Sequence, residues 1–221
     1  FQYMKSLNRT LRLVLDLAMI FGLLGVAYAA SFTDASKIQY TEAVNVMTGI
    51  GAINGYTDGT FGPTASITRE EAAKMVTYAV LGPTVAKTLS VTATGFSDVD
   101  AARWSAPYIA YCVSQGIING MGDGTFAPTA NVTGYQIAKM MLCAAGYGKA
   151  SEFTGASWEL NVAVAANKTG IFTGSKATSF STAATREEAA LYVFNALTKV
   201  PTVTYSKLTE AYTPVANATA G

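Results

Sequence analysis

Two arginines, Arg69 and Arg186, are the residues of this 221-residue chain best placed to bind an anion. Each follows a threonine in the pattern Thr-x-x-Glu, which is typical of a capped helix start, so Thr68 and Thr185 are predicted N-caps. An exposed cation at the first helical position opposes the helix dipole at a cost of about 0.3–1 kcal/mol. A guanidinium beside the free N–H groups of a helix start would nevertheless bind a carboxylate strongly. The alternative is that each arginine clamps carbonyls or a carboxylate of a neighbouring unit.

Catalysis has few candidate residues. The chain contains no histidine, which excludes Ser-His-Asp and Cys-His catalysis and zinc sites that use histidine. Adjacent glutamates at 70–71 and 187–188 could form the carboxylate pair that cleaves a glycoside. Glu71 and Glu188 are, however, already assigned to helix capping, and recurrence at each helix start indicates structure. We therefore expect no enzyme activity.

Metal ions, cofactors and nucleic acids are also unexpected. Cys112 and Cys143 lie in apolar helical runs and are interpreted as buried thiols, with a single disulfide as the alternative. Asp58 and Asp123 each belong to an Asp-Gly turn that offers one carboxylate, whereas a calcium loop needs several. A net charge of +1 provides no polyanion-binding face. We predict no metal site, no cofactor and no nucleic-acid partner.

An internal repeat must position the candidate residues. The stretch Ile53–Val76 returns 65 residues later as Ile118–Met141, and a weaker third copy ends in the Thr-Arg-Glu-Glu-Ala-Ala that begins at Thr185. Each copy predicts a first helix, a glycine stop, a loop and a capped second helix. The first helices are expected over residues 38–48, 106–114 and 158–167, the stops at Gly51, Gly116 and Gly170, and the second helices over 69–81, 134–145 and 186–198. A helix pair this small cannot bury both apolar faces alone. The predicted fold is mainly α, with three helix-loop-helix repeats packed as a compact pseudo-threefold bundle.

The two ends of the chain lie outside the repeats. Residues 1–29 are predicted to be a signal-peptide-like segment, with a basic start, an apolar run and an Ala-x-Ala site that leaves Ala30 as the first mature residue. The apolar run is shorter than the ~20 residues of a membrane span, so membrane contact is expected to be transient. The expected organisation is repeat 1 at 30–90, repeat 2 at 91–148, repeat 3 with a degenerate loop at 149–198, and a linker or tail at 199–221.

The repeated motifs resemble those of the S-layer homology repeat. The motifs are Phe-x-Asp at Phe32 and Phe96, Asn-Gly-x-x-Asp-Gly-Thr-Phe-x-Pro in the loops, and Thr-Arg-Glu-Glu-Ala-Ala at the second helices, and the similarity covers residues 32–198 in three copies. The resemblance implies a secreted protein at the bacterial cell surface, anchored non-covalently to the cell wall, with assembly into an S-layer as an extension of that role. The implied partner is a secondary cell-wall polysaccharide, pyruvylated, bound in grooves between repeats. The alternative is a surface-assembly protomer whose grooves bind protein rather than glycan.

The resemblance also ranks the candidate binding residues. Arg69 and Arg186 are expected to bind a pyruvyl carboxylate, and their replacement by alanine is expected to leave the fold nearly intact. Gly134 stands where the family has the arginine, so at most two grooves are expected to work, and the Gly134→Arg variant is expected to bind polymer at least as tightly as the wild type. For Trp104 and Trp158, stacking on a sugar ring and burial in the core are equal alternatives. For Asp34 and Asp98, capping of a helix or loop is the default role, and contact with a ligand is the alternative. The full predicted ligand-binding set is Arg69, Arg186, Trp104, Trp158, Asp34 and Asp98.

Overall fold

Six α-helices form most of the regular structure in the computed structural model, which describes residues 32–215. They are α1 (Thr41–Gly49), α2 (Arg69–Ala86), α3 (Ala106–Ser114), α4 (Gly134–Ala144), α5 (Trp158–Thr169) and α6 (Arg186–Lys199), followed by strands β1 (Val203–Ser206) and β2 (Ala211–Pro214). The predicted mainly α class is confirmed. The signal-like segment lies outside the described residues.

The second helix of each pair begins with a reciprocal cap. Thr68, Thr133 and Thr185 each accept a hydrogen bond from the backbone N–H three residues later, and the side chain there accepts one from the threonine N–H. In the second pair the returning side chain is Gln136, whose Oε1 lies 3.0 Å from the Thr133 N–H nitrogen. Two orphan donors are thus satisfied at each helix start, and all three predicted starts are confirmed.

Glycine ends the first helix of each pair, as predicted. Gly51, Gly116 and Gly170 have φ values of 74°, 67° and 81°, a conformation that glycine adopts without a steric penalty. The helix α2 was predicted to end at residue 81, but at that point its helical conformation is only interrupted. Gly82 has a non-helical φ of 73°, and Pro83 begins a last turn that carries the helix to Ala86.

The helices pack between units rather than within them. Each second helix packs on the first helix of the following unit, so α2 packs on α3 and α4 on α5, while α6 returns to α1. The three second helices also contact one another and form the inner layer. Because the last unit contacts the first, the arrangement is closed, which is the predicted pseudo-threefold bundle.

A cycle of backbone hydrogen bonds marks the centre of this ring. The N–H of Ile67 donates to the carbonyl of Ala184 at 3.1 Å, that of Ala184 to Val132 at 2.8 Å, and that of Val132 to Ile67 at 3.1 Å. All three residues are buried, and each directly precedes an N-cap threonine. The cycle therefore fixes the starts of all three inner helices against one another.

The segment expected to be a linker contains an antiparallel hairpin, in which Tyr205 is paired with Tyr212. The hairpin docks on the bundle, since the N–H of Val203 donates to the carbonyl of Ala145 at 2.9 Å and the Tyr212 hydroxyl donates to Glu152 at 2.6 Å. Within residues 32–215, no helix combines the length and the apolar character needed to cross a bilayer.

Candidate ligand-binding grooves

Two grooves lie at equivalent boundaries between units. The first, here called the Arg69 groove, is a cavity of about 190 Å³ that includes Arg69, Asn119, Gln136, Lys139, Met140 and Trp158 in its walls. The second, the Arg186 groove, is a cavity of about 240 Å³ with Arg186, Asn54, Glu71, Lys74, Met75 and Trp104. Each groove therefore takes an arginine from one unit, a loop and a second helix from the next, and a tryptophan from the third.

The predicted binding residues are brought together in pairs. Arg69 shares its groove with Trp158, and Arg186 shares its groove with Trp104. Sequence analysis missed the lysines, Lys74 and Lys139, which lie six residues after the N-cap threonine in the first two units. Their signal was present, because the 65-residue repeat aligns them, and the third unit has Leu191 at this position.

The expectation that the arginines are exposed is wrong. The Arg69 residue is only 9% exposed, and its Nε and Nη2 donate to the carbonyls of Phe126 and Asn119 at 2.8 Å and 3.0 Å. Its guanidinium carbon lies 4.6 Å from the centroid of the Phe126 ring. Burial lowers the pKa of Arg69 from its ordinary value, and the nearby Asp98 carboxylate opposes this effect. Arg69 is thus a clamp between the first two units.

Arg186 makes the same clamp between the third unit and the first. It is 2% exposed, and its Nε and Nη2 donate to the carbonyls of Phe61 and Asn54. Its Nη1 donates to Glu71 Oε1 at 3.1 Å, and its guanidinium carbon lies 4.5 Å from the Tyr56 ring centroid. Both arginines therefore make the contacts of the structural alternative, in which each arginine clamps carbonyls or a carboxylate of a neighbouring unit. Ligand binding by either arginine remains a prediction.

The lysines and tryptophans form the more open parts of the two grooves. Lys139 Nζ lies 5.1 Å from the centroid of the Trp158 ring, within the range of a cation–π interaction. Trp104, at the other groove, is 52% exposed and so presents an indole face to solvent. Burial lowers the pKa of Lys74, and the neighbouring Arg186 lowers it further, whereas Glu71 raises it.

Asp34 and Asp98 hold the loops that carry the groove walls. The two carboxylate oxygens of Asp34 accept from the N–H groups of Phe61 and Gly62 at 2.8 Å and 2.9 Å. Asp98 binds Phe126 and Ala127 in the same way, at 2.8 Å each. The structure thus supplies the loop-capping contacts that were their default role, and neither aspartate lines the two grooves described above. Their contact with a ligand stays a prediction.

The adjacent glutamates have structural partners. Glu70 is buried and binds Arg103 through both oxygens, at 2.7 Å and 2.8 Å, and also accepts from the Ser105 hydroxyl. Glu187 accepts from the N–H groups of Gln39 and Tyr40 at 2.7 Å and 3.3 Å. Each of these glutamates thus joins an inner helix to the residues just before the first helix of the next unit.

The third equivalent position is filled by an aromatic cluster. Gly134 replaces the arginine there, and a Cβ built at this position would lie 3.2 Å from the Cβ of Phe180. The Phe180 ring stacks on that of Phe172 at a centroid distance of 3.9 Å, and Tyr135 and Tyr192 pack around the pair. A side chain at this position would therefore press on Phe180, and the effect of Gly134→Arg on binding stays a prediction.

The two cysteines are free thiols, Cys112 buried and Cys143 half-buried, which confirms the first of the two interpretations of this pair. Burial raises the pKa of Cys112 to about 12, so this thiol stays protonated at neutral pH.

Comparison with known proteins adds an independent result. Residues 31–73 and 95–138 match the S-layer homology domain family. The chain is 35% identical over 164 residues to a surface-layer 125 kDa protein of Lysinibacillus sphaericus, a match that covers 69% of this chain and 13% of that protein. It is 33% identical over 130 residues to an S-layer protein of Bacillus anthracis, over 58% of this chain and 14% of that protein. An uncharacterized cell wall amidase of Bacillus anthracis is 35% identical over 91 residues, which cover 41% of this chain and 16% of that protein.

These relatives are much longer proteins, of which the chain spans between 13% and 16%. The matched segments contain Arg69 and Gly134 with their caps, while Arg186 and the third unit lie beyond them. Two segments of the chain, residues 31–73 and 95–138, are thus similar to the S-layer homology domain.

Proposed function

We propose that this protein anchors itself to the bacterial cell wall by binding an anionic wall polysaccharide, pyruvylated on its sugars, in the Arg69 and Arg186 grooves. The observation that carries this proposal is the recurrence of one arginine, one lysine and one tryptophan in both cavities. Maintenance of the repeated fold does not by itself explain why the same three side-chain types line both cavities.

The residue types suit an acidic sugar. A carboxylate on a sugar would accept charge-assisted hydrogen bonds from the lysine ammonium and from any guanidinium nitrogen left free by the clamp. An indole face packs on the C–H face of a sugar ring, and both tryptophans border the cavities. The arginines would thus serve twice, because the clamps that hold the groove walls also carry charge into the cavities.

The third unit completes the proposed domain as a degenerate S-layer homology repeat. Its inner helix has the same capping box and the same clamping arginine as the first unit, and its loop packs against Gly134. In this proposal repeats 1, 2 and 3 occupy residues 30–90, 91–148 and 149–198. The third repeat supplies Arg186 and Trp158 but forms no binding groove of its own.

The names of the relatives support a surface location. They are a surface-layer protein, an S-layer protein and a cell wall enzyme, all of bacteria. Self-assembly in a surface layer is an extension of the same proposal. Catalysis is not proposed, since the carboxylates of Glu70 and Glu187 are engaged in joining the units.

Sedimentation with purified cell walls tests the proposal. Walls that retain their pyruvylated polymer should retain the protein, and walls from which this polymer has been extracted should not. Lys74→Gln and Lys139→Gln should each weaken binding by about 1.5–3 kcal/mol at one groove, the range for a hydrogen bond to a charged group. The double variant should lose more retention than either single variant, because two sites on one polymer act together.

Lys168→Gln is the matched control, because Lys168 is exposed on α5 and does not line either cavity. Glycan binding would be contradicted if walls retained the protein after extraction of the polymer. It would also be contradicted if Lys74→Gln and Lys139→Gln left retention unchanged. Either result would favour the alternative in which the grooves bind another surface protein.

A further inference from the structure

The two grooves differ at the third residue of their inner helices. This residue is Glu71 in the Arg186 groove and Gln136 in the Arg69 groove. Both residues return a hydrogen bond to their N-cap threonine, at 2.9 Å from Thr68 N and 3.0 Å from Thr133 N. The helix starts are therefore equivalent, and at this position the two grooves differ by one negative charge.

Glu71 engages the third nitrogen of Arg186. The Nε and Nη2 of this arginine donate to two main-chain carbonyls, and the remaining nitrogen, Nη1, donates to Glu71 Oε1. Glu71 uses its other oxygen for the cap, so one carboxylate serves both the helix start and the arginine. A ligand carboxylate that bound Nη1 of Arg186 would compete with the Glu71 carboxylate and be repelled by its charge.

Arg69 has an unused donor. Its Nε and Nη2 bind carbonyls as in Arg186, but among residues 32–215 its Nη1 has no hydrogen-bond partner. The residue is only 9% exposed, and it lines the cavity that also holds Lys139. This nitrogen reaches solvent, because no buried side-chain nitrogen or oxygen among the described residues lacks a hydrogen-bond partner. An anionic oxygen that enters the cavity can therefore accept a charge-assisted hydrogen bond from it.

We infer that anionic groups bind preferentially in the Arg69 groove and that Gln136 determines this preference. The inference rests on the proposed function and names which of the two sites takes the acidic sugar. The Arg69 groove has two cations and no carboxylate among its lining residues, whereas the Arg186 groove has two cations and Glu71. The Arg186 groove instead exposes two aromatic faces, those of Trp104 and Tyr56, and suits a neutral part of the same polymer.

The two tryptophans allow each groove to be observed separately. They are the only tryptophans of the chain, and one lies at each cavity. In a ¹⁵N-labelled sample of the full chain, the two indole N–H signals can be assigned with Trp104→Phe and Trp158→Phe. The protein is then titrated with a methyl hexoside that carries a pyruvate ketal, and in parallel with the ketal-free hexoside.

The ketal should shift the Trp158 signal at a concentration about fivefold lower than the Trp104 signal, the upper range for one partly exposed ion pair. Gln136→Glu should weaken binding at Trp158 by about the same factor, and Glu71→Gln should strengthen it at Trp104. The doubly exchanged variant should invert the order of the two sites. Both substitutions keep the acceptor of the capping box, so the helix starts should persist.

Glu42→Gln is the charge control, because it removes the same charge from an exposed site on α1. Equal titration of both signals in the wild type, or no change on exchange, would overturn this inference and leave the proposed function standing. If neither signal responds to the ketal and the protein also ignores the polymer on walls, the proposed function fails and the inference fails with it.

Discussion

The Arg69 groove and the aromatic cluster at Gly134 occupy equivalent places in the ring, yet one is open and the other is filled. In the first, a long charged side chain spans the boundary and holds the loop of the next unit by its carbonyls. In the second, the side chain is absent and Phe180 packs against Gly134 itself. The two positions thus differ both in the arginine and in the aromatic residue that the next loop places against it.

The first prediction tests the arginines as clamps and has the largest expected effect. Arg186→Ala should lower the free energy of unfolding by about 3–5 kcal/mol, as expected when a buried ion pair loses one partner. Arg69→Ala should cost about 2–3 kcal/mol, because it leaves two carbonyls unpaired but no carboxylate. Urea denaturation measures both values.

Lys168→Ala provides the baseline for the arginine variants, since this exposed side chain should contribute under about 0.5 kcal/mol. Alanine variants as stable as this control would show that the arginines do not hold the units together. Such a result would return them to the purely ligand-binding role first expected from the sequence.

The second prediction concerns the filled position. Gly134→Arg should destabilise the fold by about 1–3 kcal/mol, because the new side chain must displace the Phe180 ring from a packed cluster. It should add no polymer binding. Combining Gly134→Arg with Phe180→Ala should cost less than the sum of the two single changes, as a double-mutant cycle in thermal or urea unfolding would reveal. Strict additivity would mean that the two residues do not compete for the same space.

The third prediction compares the caps, which are shared by all three units. Thr68→Ala, Thr133→Ala and Thr185→Ala should each lower the free energy of unfolding by about 0.5–2 kcal/mol. Serine at the same positions keeps the acceptor oxygen, so the serine variants should retain most of the stability that the alanine variants lose. Groove affinity, measured on the folded fraction, should not change. Unfolding midpoints that ignore all three alanine changes would place the helix starts elsewhere.

The fourth and smallest effect is a pH dependence of the loops in the first two units. Hydrogen bonds from the Phe61 and Gly62 N–H groups hold the pKa of Asp34 below its ordinary value of 3.8, against an opposing effect of burial. For Asp98 burial raises the pKa, but the Phe126 and Ala127 N–H groups lower it by more. A depressed folded-state pKa adds stability above the unfolded value, and this stability is lost as the pH falls through the folded value.

The thermal midpoint should therefore decrease as the pH is lowered below about 4, where carboxylates with ordinary pKa values begin to bind protons. Asp34→Asn should make this decrease shallower, because it removes one of the titrating groups. An Asp34→Asn profile identical to that of the wild type would show that this aspartate does not secure its loop.

The sequence was sufficient for features that depend on neighbouring residues. The capping boxes and the glycine stops are local, and a side chain three residues away determines each helix start. The expectation of at most two working grooves came from Gly134 for a related reason, because the replacement of one residue type is visible within one repeat. The number of grooves that bind a ligand stays a prediction.

The burial of the arginines could not be predicted in this way. Their acceptors lie far along the chain, at Phe126 for Arg69 and at Phe61 for Arg186, and only the closed packing of units brings them together. The dipole of the helix that carries each arginine was therefore the wrong basis for estimating the contribution of its side chain to the free energy of unfolding. Phe180 was missed because the third loop lacks the Asp-Gly turn, which shifts its aromatic residues out of register with the other repeats.

The hairpin had a detectable signal. Val203 and Tyr205 alternate with polar residues, as do Tyr212 and its neighbours, which is the period of a half-exposed strand. The proline and threonine content of this segment outweighed that pattern in the sequence analysis. The docking partner, Glu152, lies in another connection and has no local signature.

The backbone cycle through Ile67, Val132 and Ala184 sets the number of units. In an open stack of repeats, each added unit finds a free end, so such proteins lengthen by duplication and need special terminal repeats. Here each of the three segments already donates to one neighbour and accepts from the other, and α6 returns to α1. A fourth unit would have no vacant donor or acceptor at the axis, and deletion of one unit would break two junctions at once. Evolution of this domain can therefore vary its loops and side chains but not its count.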